Sequence, residues 1–148
     1  MFPISLPSFD IKLKEENKQT YIFDIIRKKY FVLTPEEWVR QHVIHLLITH
    51  YGYPKSLFKI EKGHLYNSLQ KRTDIMVYNR DGKVHLLVEC KANFESINQK
   101  TLIQVMQYNL FHKANYVLIT NGLTNFCFDL MEQESKQITD IPFYKINE

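Results

Sequence analysis

The sequence predicts an α/β fold: a central mixed β-sheet flanked by helices, extended at the N-terminus by a β-hairpin. Three observations carry this. Residues 35–50 and 98–112 bear helical signals, and short apolar runs bounded by turn residues read as strands. The order helix, strands, helix, strand is the one that places helices against a sheet.

The elements follow in turn. The first seven residues, with Pro3 and Pro7, form an extended lead-in. Phe9–Lys14 and Tyr21–Phe23 are strand-like and flank the polar run Glu15–Gln19, which suggests a hairpin, and Lys29–Leu33 continues this small sheet. Thr34-Pro35-Glu36-Glu37 starts a helix: Thr34 suits the N-cap, Pro35 the first helical position, and Glu37 the acidic position of a capping box. That helix is expected to run to about His50 and stop at Tyr51-Gly52-Tyr53-Pro54. Leu57–Lys62 is a strand, as are Thr73–Tyr78 and Lys83–Lys91, the last two joined by the turn Asn79-Arg80-Asp81-Gly82. From Asn98 to His112 the spacing is helical, with Leu102, Met106 and Leu110 on one stripe. Tyr116–Thr120 and Leu123–Leu130 are strands around Asn121-Gly122. With no repeat, low-complexity tract or linker, 148 residues fit one domain, 1–148, whose first 33 or so form the β extension.

Composition bounds the function without naming it. A content of 45% hydrophobic and 14% aromatic residues suffices for a packed core and excludes a disordered chain. No apolar run is long enough to span a membrane, and the N-terminus lacks the pattern of a signal peptide. Cys90 and Cys127, the two cysteines, sit in apolar runs and read as buried free thiols of a cytoplasmic protein. The net charge of +3 is compatible with a polyanionic partner and with much else. The four glycines form no Gly-x-x-x-x-Gly-Lys loop, so ATP binding of the P-loop kind is not expected.

The chemistry concentrates at the end of one hairpin. In Val84-His85-Leu86-Leu87-Val88-Glu89-Cys90-Lys91, a side-chain period of two puts Val84, Leu86, Val88 and Cys90 on one face and Glu89 with Lys91 on the other. A hairpin closed at Arg80-Asp81-Gly82 sets Asp74 opposite Glu89. Two carboxylates so close repel unless a cation lies between them, and Mg²⁺ suits a few carboxylates with water and phosphate oxygens. The plain alternative is an ion-pair cluster at the end of a hairpin.

These residues resemble the PD-(D/E)XK nuclease superfamily. More narrowly, Thr-Pro-Glu-Glu-Trp-Val-Arg-Gln at 34–41, Lys-Arg-Thr-Asp-Ile at 71–75 and Val-Glu-Cys-Lys-Ala at 88–92 are similar to the N-terminal nuclease-like domain of type I restriction-enzyme R subunits. Gln104 with Tyr108 resembles that family's Gln-x-x-x-Tyr helix, and Thr120-Asn121-Gly122 its following strand and turn. The resemblance covers residues from about 9 to 130, and departs at Thr73, where the superfamily pattern has proline. It implies a restriction-endonuclease-like core that hydrolyses DNA phosphodiester bonds with Mg²⁺, for which Mn²⁺ substitutes. Asp74 and Glu89, with the Cys90 carbonyl, would bind the metal, and Glu37 would support it. Lys91 would orient the attacking water, Gln104 would hold the site, and Tyr108, Arg72 and Arg40 would contact nucleic acid or support the centre. R subunits of this kind carry a motor after the nuclease. The expectation here is a nuclease centre without one, so that partner subunits would supply any motor or specificity.

Several residues have simpler readings that stay open. Glu37 fits a capping box, and Gln104 and Tyr108 fit a polar helix face. His42 and His45 lack partners for a zinc set and are expected to pack against the core, as is Trp38, while Arg27-Lys28-Lys29 reads as a solvated strand end. The rival function is a catalytically silent nuclease-like fold that binds DNA or a protein. RNA is a further candidate substrate.

Overall fold

Thr34 begins the first helix as its sequence requires. In a computed structural model, which describes residues 2–60, 64–66, 69–71 and 75–145, its hydroxyl oxygen accepts the amide of Glu37 at 3.0 Å. The helix, α1, spans Pro35–Thr49. Before it lie β1 (Leu13–Glu16), β2 (Gln19–Asp24) and β3 (Lys29–Val32), which pair antiparallel in the order β1-β2-β3. The first hairpin turns at Asn17 and Lys18, both with positive φ. Glu15 and Glu16 therefore belong to a strand that was expected to end earlier, and residues 9–12 precede it.

After α1, a short 3₁₀ turn at Lys55–Leu57 leads into β4 (Phe58–Ile60). β5 (His64–Tyr66) and β6 (Leu69–Lys71) pair with each other in a two-stranded ribbon that the sequence reading lacked. Then come β7 (Ile75–Tyr78), β8 (Val84–Cys90), helix α2 (Gln99–His112), β9 (Tyr116–Thr120), β10 (Asn125–Asp129) and β11 (Lys136–Ile138). β4 and β7–β11 form one mixed sheet in the order β11-β10-β9-β8-β7-β4. β8 and β9 run parallel, and the other pairs are antiparallel. A parallel pair needs a crossover, and α2 supplies it. Asn98 caps α2 by accepting the Thr101 amide at 3.0 Å, and Lys113 ends it in the left-handed conformation.

The two faces of the sheet have separate cores. On one, Val39, Val43, Ile44 and Leu47 of α1 pack with Ile75 and Val77 of β7 and with Leu86, Val88 and Cys90 of β8. Those four α1 side chains are at most 1% exposed. At about 1.5–3 kcal/mol for each large aliphatic side chain, burial outweighs the small propensity penalty of valine and isoleucine and docks the helix. On the other face, Val105 of α2 packs with Met76, Leu87, Val117 and Ile119.

Val84 belongs to this second core rather than sharing a face with Leu86, Val88 and Cys90. The cause is a β-bulge: Tyr78 pairs with Val84 but Val77 pairs with Leu86, so His85 is an extra residue that breaks the alternation. The stripe on α2 is also displaced. Thr101, Val105 and Asn109 are its buried residues, Leu102 and Met106 flank them, and Leu110 is 74% exposed.

Both ends of the described chain are tied down. Ser5 donates from its amide and its hydroxyl to the Gly122 carbonyl, at 2.8 and 2.9 Å. Gly122 has φ +85°, and a Cβ there would lie 2.8 Å from Ile4 Cγ1 and 3.2 Å from Val39 Cγ2. Gly122→Ala is therefore expected to destabilise the protein by about 1–3 kcal/mol in urea unfolding. Gly52→Ala, where φ is +78° and the added carbon meets nothing within 4 Å, should cost less. At the other end Ile141 enters the first core, the Tyr53 hydroxyl donates to the Pro142 carbonyl at 2.6 Å, and the Tyr144 amide donates to the Tyr51 carbonyl at 2.9 Å.

Three histidines sit within this frame. His42 Nδ1 lies 2.8 Å from the Trp38 carbonyl, His45 stacks on Phe9 at 3.9 Å between ring centroids, and His85 Nε2 lies 3.2 Å from the Tyr53 hydroxyl. Burial pushes all three below their ordinary pKa of 6.5. The unfolded chain thus takes up protons first, and the stability these groups contribute at neutral pH is lost as pH falls below 6.5. The melting temperature is expected to drop between neutral pH and the lowered values, and His85→Gln should shrink that drop.

Candidate metal centre

Glu89 is the penultimate residue of β8 and Lys91 follows the strand, and alternation decides where they point. Cys90, between them, is 1% exposed in the α1-side core. Glu89 and Lys91 therefore project from the α2 side of the sheet. Lys91 Nζ lies 3.7 Å from Glu89 Oε1, with side-chain exposures of 26% and 14%. That separation is an ion pair rather than a tight hydrogen bond.

Both neighbouring strands fix this end of β8. On one side β7 pairs Ile75 with Val88, Met76 with Leu87 and Val77 with Leu86. These three pairs keep the register expected from the sequence, and the bulge at His85 makes the one-residue shift between them and the turn. The turn is closed by Gly82 N–H donating to the Asn79 carbonyl and Asn79 N–H to the Lys83 carbonyl, at 3.0 and 2.8 Å. Asp74 and Arg72, two of the expected site residues, lie outside the described residues. On the other side Glu89 pairs with Ile119 and Cys90 with Thr120, and the Lys91 amide donates to the Thr120 carbonyl at 2.8 Å.

The turn after β9 adds a residue to which the sequence reading gave no role. Asn121 Oδ1 accepts the amides of Leu123 and Thr124 at 2.9 and 2.7 Å, and its Nδ2 donates to the Glu95 carbonyl at 2.8 Å. It thereby ties the β9–β10 turn to the loop that follows Lys91. An asparagine before glycine at the end of an apolar strand was the available signal. Within the same loop, Asn93 has a buried side-chain oxygen that makes no hydrogen bond among the described residues.

The remaining expected site residues fall in two places. α2 covers the sheet face from which Glu89 and Lys91 project. Gln104 on it is exposed, and Tyr108 is half-buried against the second core with its ring 4.6 Å from that of His112. α1 covers the opposite face, and its first turns hold Glu37 and Arg40 in a buried ionic network. Glu37 Oε1 lies 2.9 Å from Arg27 Nη2 and 2.8 Å from Arg40 Nη1, and its Oε2 accepts from Gln41 Nε2 at 3.1 Å. Arg27 also pairs with Asp24 at 2.6 Å and Arg40 with Glu36 at 3.3 Å. Arg27, half-buried, is thus a link from the β2–β3 turn to α1 rather than part of a solvated strand end. Thr34 caps the Glu37 amide, while the Glu37 carboxylate is turned to this network. Among the described residues, no three His, Cys, Asp or Glu side chains form a metal-ligating group.

A family model for the N terminus of the type I restriction enzyme R protein matches residues 35–142. The chain belongs to this family. The part shared with the R-protein N terminus begins at the first residue of α1 and ends beyond β11, so it holds both helices and the whole six-stranded sheet. The β1–β3 sheet precedes it. No curated protein matches the chain.

Proposed function

We propose that this R-protein N-terminal domain is a Mg²⁺-dependent nuclease centre of the PD-(D/E)XK kind that hydrolyses DNA phosphodiester bonds. The observation that carries the proposal is the Glu89–Lys91 pair at the end of β8, the strand end at which the sequence pattern expects Asp74. The donor set fits a hard cation: carboxylate oxygens, the Cys90 carbonyl, and, nearby in sequence, the buried Asn93 oxygen that makes no hydrogen bond among the described residues. In this reading Asp74, Glu89 and the Cys90 carbonyl hold Mg²⁺ or Mn²⁺. When bound, the ion would neutralise phosphate charge and lower the pKa of a coordinated water.

The chain's own residues do the rest. Lys91, held by its amide to Thr120 and by its ammonium to Glu89, places a positive charge where negative charge accumulates on the phosphate, and can orient the attacking water. Gln104 and Tyr108, one turn apart on the helix that covers this sheet face, serve substrate positioning. Arg40 and Glu37 act by bracing the start of α1; Glu37 would reach a metal only by giving up Arg27 or Arg40. Partner subunits supplying motor or specificity complete a restriction system, and a DNA substrate, together with free thiols at Cys90 and Cys127, supports a cytoplasmic reading. No helix among the described residues is long and apolar enough to cross a membrane.

The engagement of Glu37 by two guanidinium groups favours a second reading, a catalytically silent fold that binds DNA or a protein. One assay separates them. The full chain is incubated with plasmid, single-stranded DNA and matched RNA, with Mg²⁺, Mn²⁺ or EDTA, beside Lys91→Ala. Metal-dependent cleavage lost in the variant is the expected result. Cleavage that persists in Lys91→Ala sinks the site assignment, and DNA binding without cleavage supports the silent fold.

A further inference from the structure

The β1–β3 sheet lies before the region matched by the family and carries a face that phosphodiester chemistry does not use. Its pairing sets Lys14 opposite Tyr21, Tyr21 opposite Val32, and Phe23 opposite Tyr30. Cross-strand partners and alternate residues share a face, so these five side chains stand on one side of the sheet. Ile22 and Asp24, both 0% exposed, stand on the other, which is committed to the body of the protein. The first face looks outward: Tyr30 is 37% and Val32 44% exposed.

On this face cations and rings are interleaved. Lys14 Nζ lies 4.5 Å from the Tyr30 ring centroid and 5.8 Å from that of Tyr21, and Lys12 Nζ lies 5.9 Å from that of Phe23. Phe23 and Tyr30 meet edge to face at 5.2 Å. Beside Lys12 and Phe23 the surface runs into a cavity of about 350 Å³ with apolar walls from Ile25 and Ile48, further lined by Lys55, His45 and Thr49. Two carboxylates accompany the cations: Asp10 in the cavity lining, and Glu16, 3.5 Å from Lys14.

An outward sheet face is ordinarily polar. Here three rings and their ammonium neighbours offer stacking surface and phosphate contacts together, the combination that binds single strands without strong sequence preference. A duplex keeps its bases stacked inside and would call on the lysines alone. We propose that the outward face of β1–β3 binds single-stranded nucleic acid, with bases stacked on Tyr21, Phe23 and Tyr30 and phosphates on Lys12, Lys14 and Lys55. The proposal does not rest on the metal centre being active.

The test is fluorescence anisotropy of labelled oligothymidylate and oligouridylate with the full chain in EDTA, so that cleavage plays no part. Tyr30→Ala is expected to weaken binding about five- to hundredfold, and Tyr30→Phe to restore it. Lys12→Glu with Lys14→Glu should weaken it further and reduce the salt slope by about 0.7 per lysine. Lys100→Glu with Lys136→Glu, the same charge change elsewhere on the surface, should retain binding. On the unmodified protein, ring resonances of Tyr21, Phe23 and Tyr30 should move upfield as oligonucleotide is added. Stronger binding of either polymer identifies the natural strand. Unshifted ring resonances, equal weakening by both lysine pairs, or equally effective competition by an acidic peptide would overturn the assignment.

Discussion

Glu37→Ala is expected to cost about 3–5 kcal/mol of stability, measured by urea unfolding. The carboxylate is buried and joins four side chains: it pairs with Arg27 and Arg40 and accepts from Gln41, while Arg27 links it to Asp24. Removing it leaves two guanidinium groups short of negative charge and strands the amide of Gln41, which is 0% exposed. Glu36→Ala makes the contrast. Glu36 pairs with Arg40 from a more open position, 19% exposed, and its loss should cost about 1 kcal/mol or less. Equal and small effects of the two substitutions would show that Glu37 is not a structural counter-ion.

Lys91→Ala should behave in the opposite way, with a drop in metal-dependent cleavage of about a hundredfold or more and little change in stability. A single group that stabilises transition-state charge is worth about 10²–10³ in rate. The Lys91–Glu89 pair, partly exposed and 3.7 Å apart, contributes on the order of 1 kcal/mol or less to folding. Lys91→Arg distinguishes point charge from geometry. Arginine keeps the charge but spreads it over a planar fork, so it should restore only a fraction of the rate. A variant that unfolds along with losing activity would assign Lys91 to the fold instead.

The parts of this structure legible in the sequence are those written in local signals. Thr34-Pro35 marks the start of α1 because a cap and a fixed φ act within one turn. Asn79–Gly82 marks the β7–β8 hairpin, and beyond the bulge the pairing from Val77 to Ile75 keeps the register expected from the sequence. Alternation placed Glu89 beside Lys91 because both follow the bulge, where the period of two is intact. Val84 precedes the bulge, so the same rule failed for it. Leu110 was misplaced because helical spacing identifies a stripe without saying which stripe meets the sheet. β11 and the buried Ile141 were missed because their order comes from neighbours distant in sequence: β10 for the strand, and the first core for Ile141. The same is true of Glu37, whose carboxylate is shared between Arg40 on its own helix and Arg27 in the β2–β3 turn.

The parallel pairing of β8 with β9 has a consequence for how the protein is made. Glu89 and Lys91 lie on a strand whose far neighbour is not synthesised until α2 has been added, and Lys91 is pinned by the carbonyl of Thr120. Non-local pairing of this kind forms late, because the intervening loop must close before any contact rewards it. On the ribosome, then, the β7–β8 hairpin can emerge and pair while the end that bears the charged couple still lacks one wall. The nascent chain carries these side chains unassembled until residue 120 has cleared the tunnel, a built-in delay between synthesis and competence.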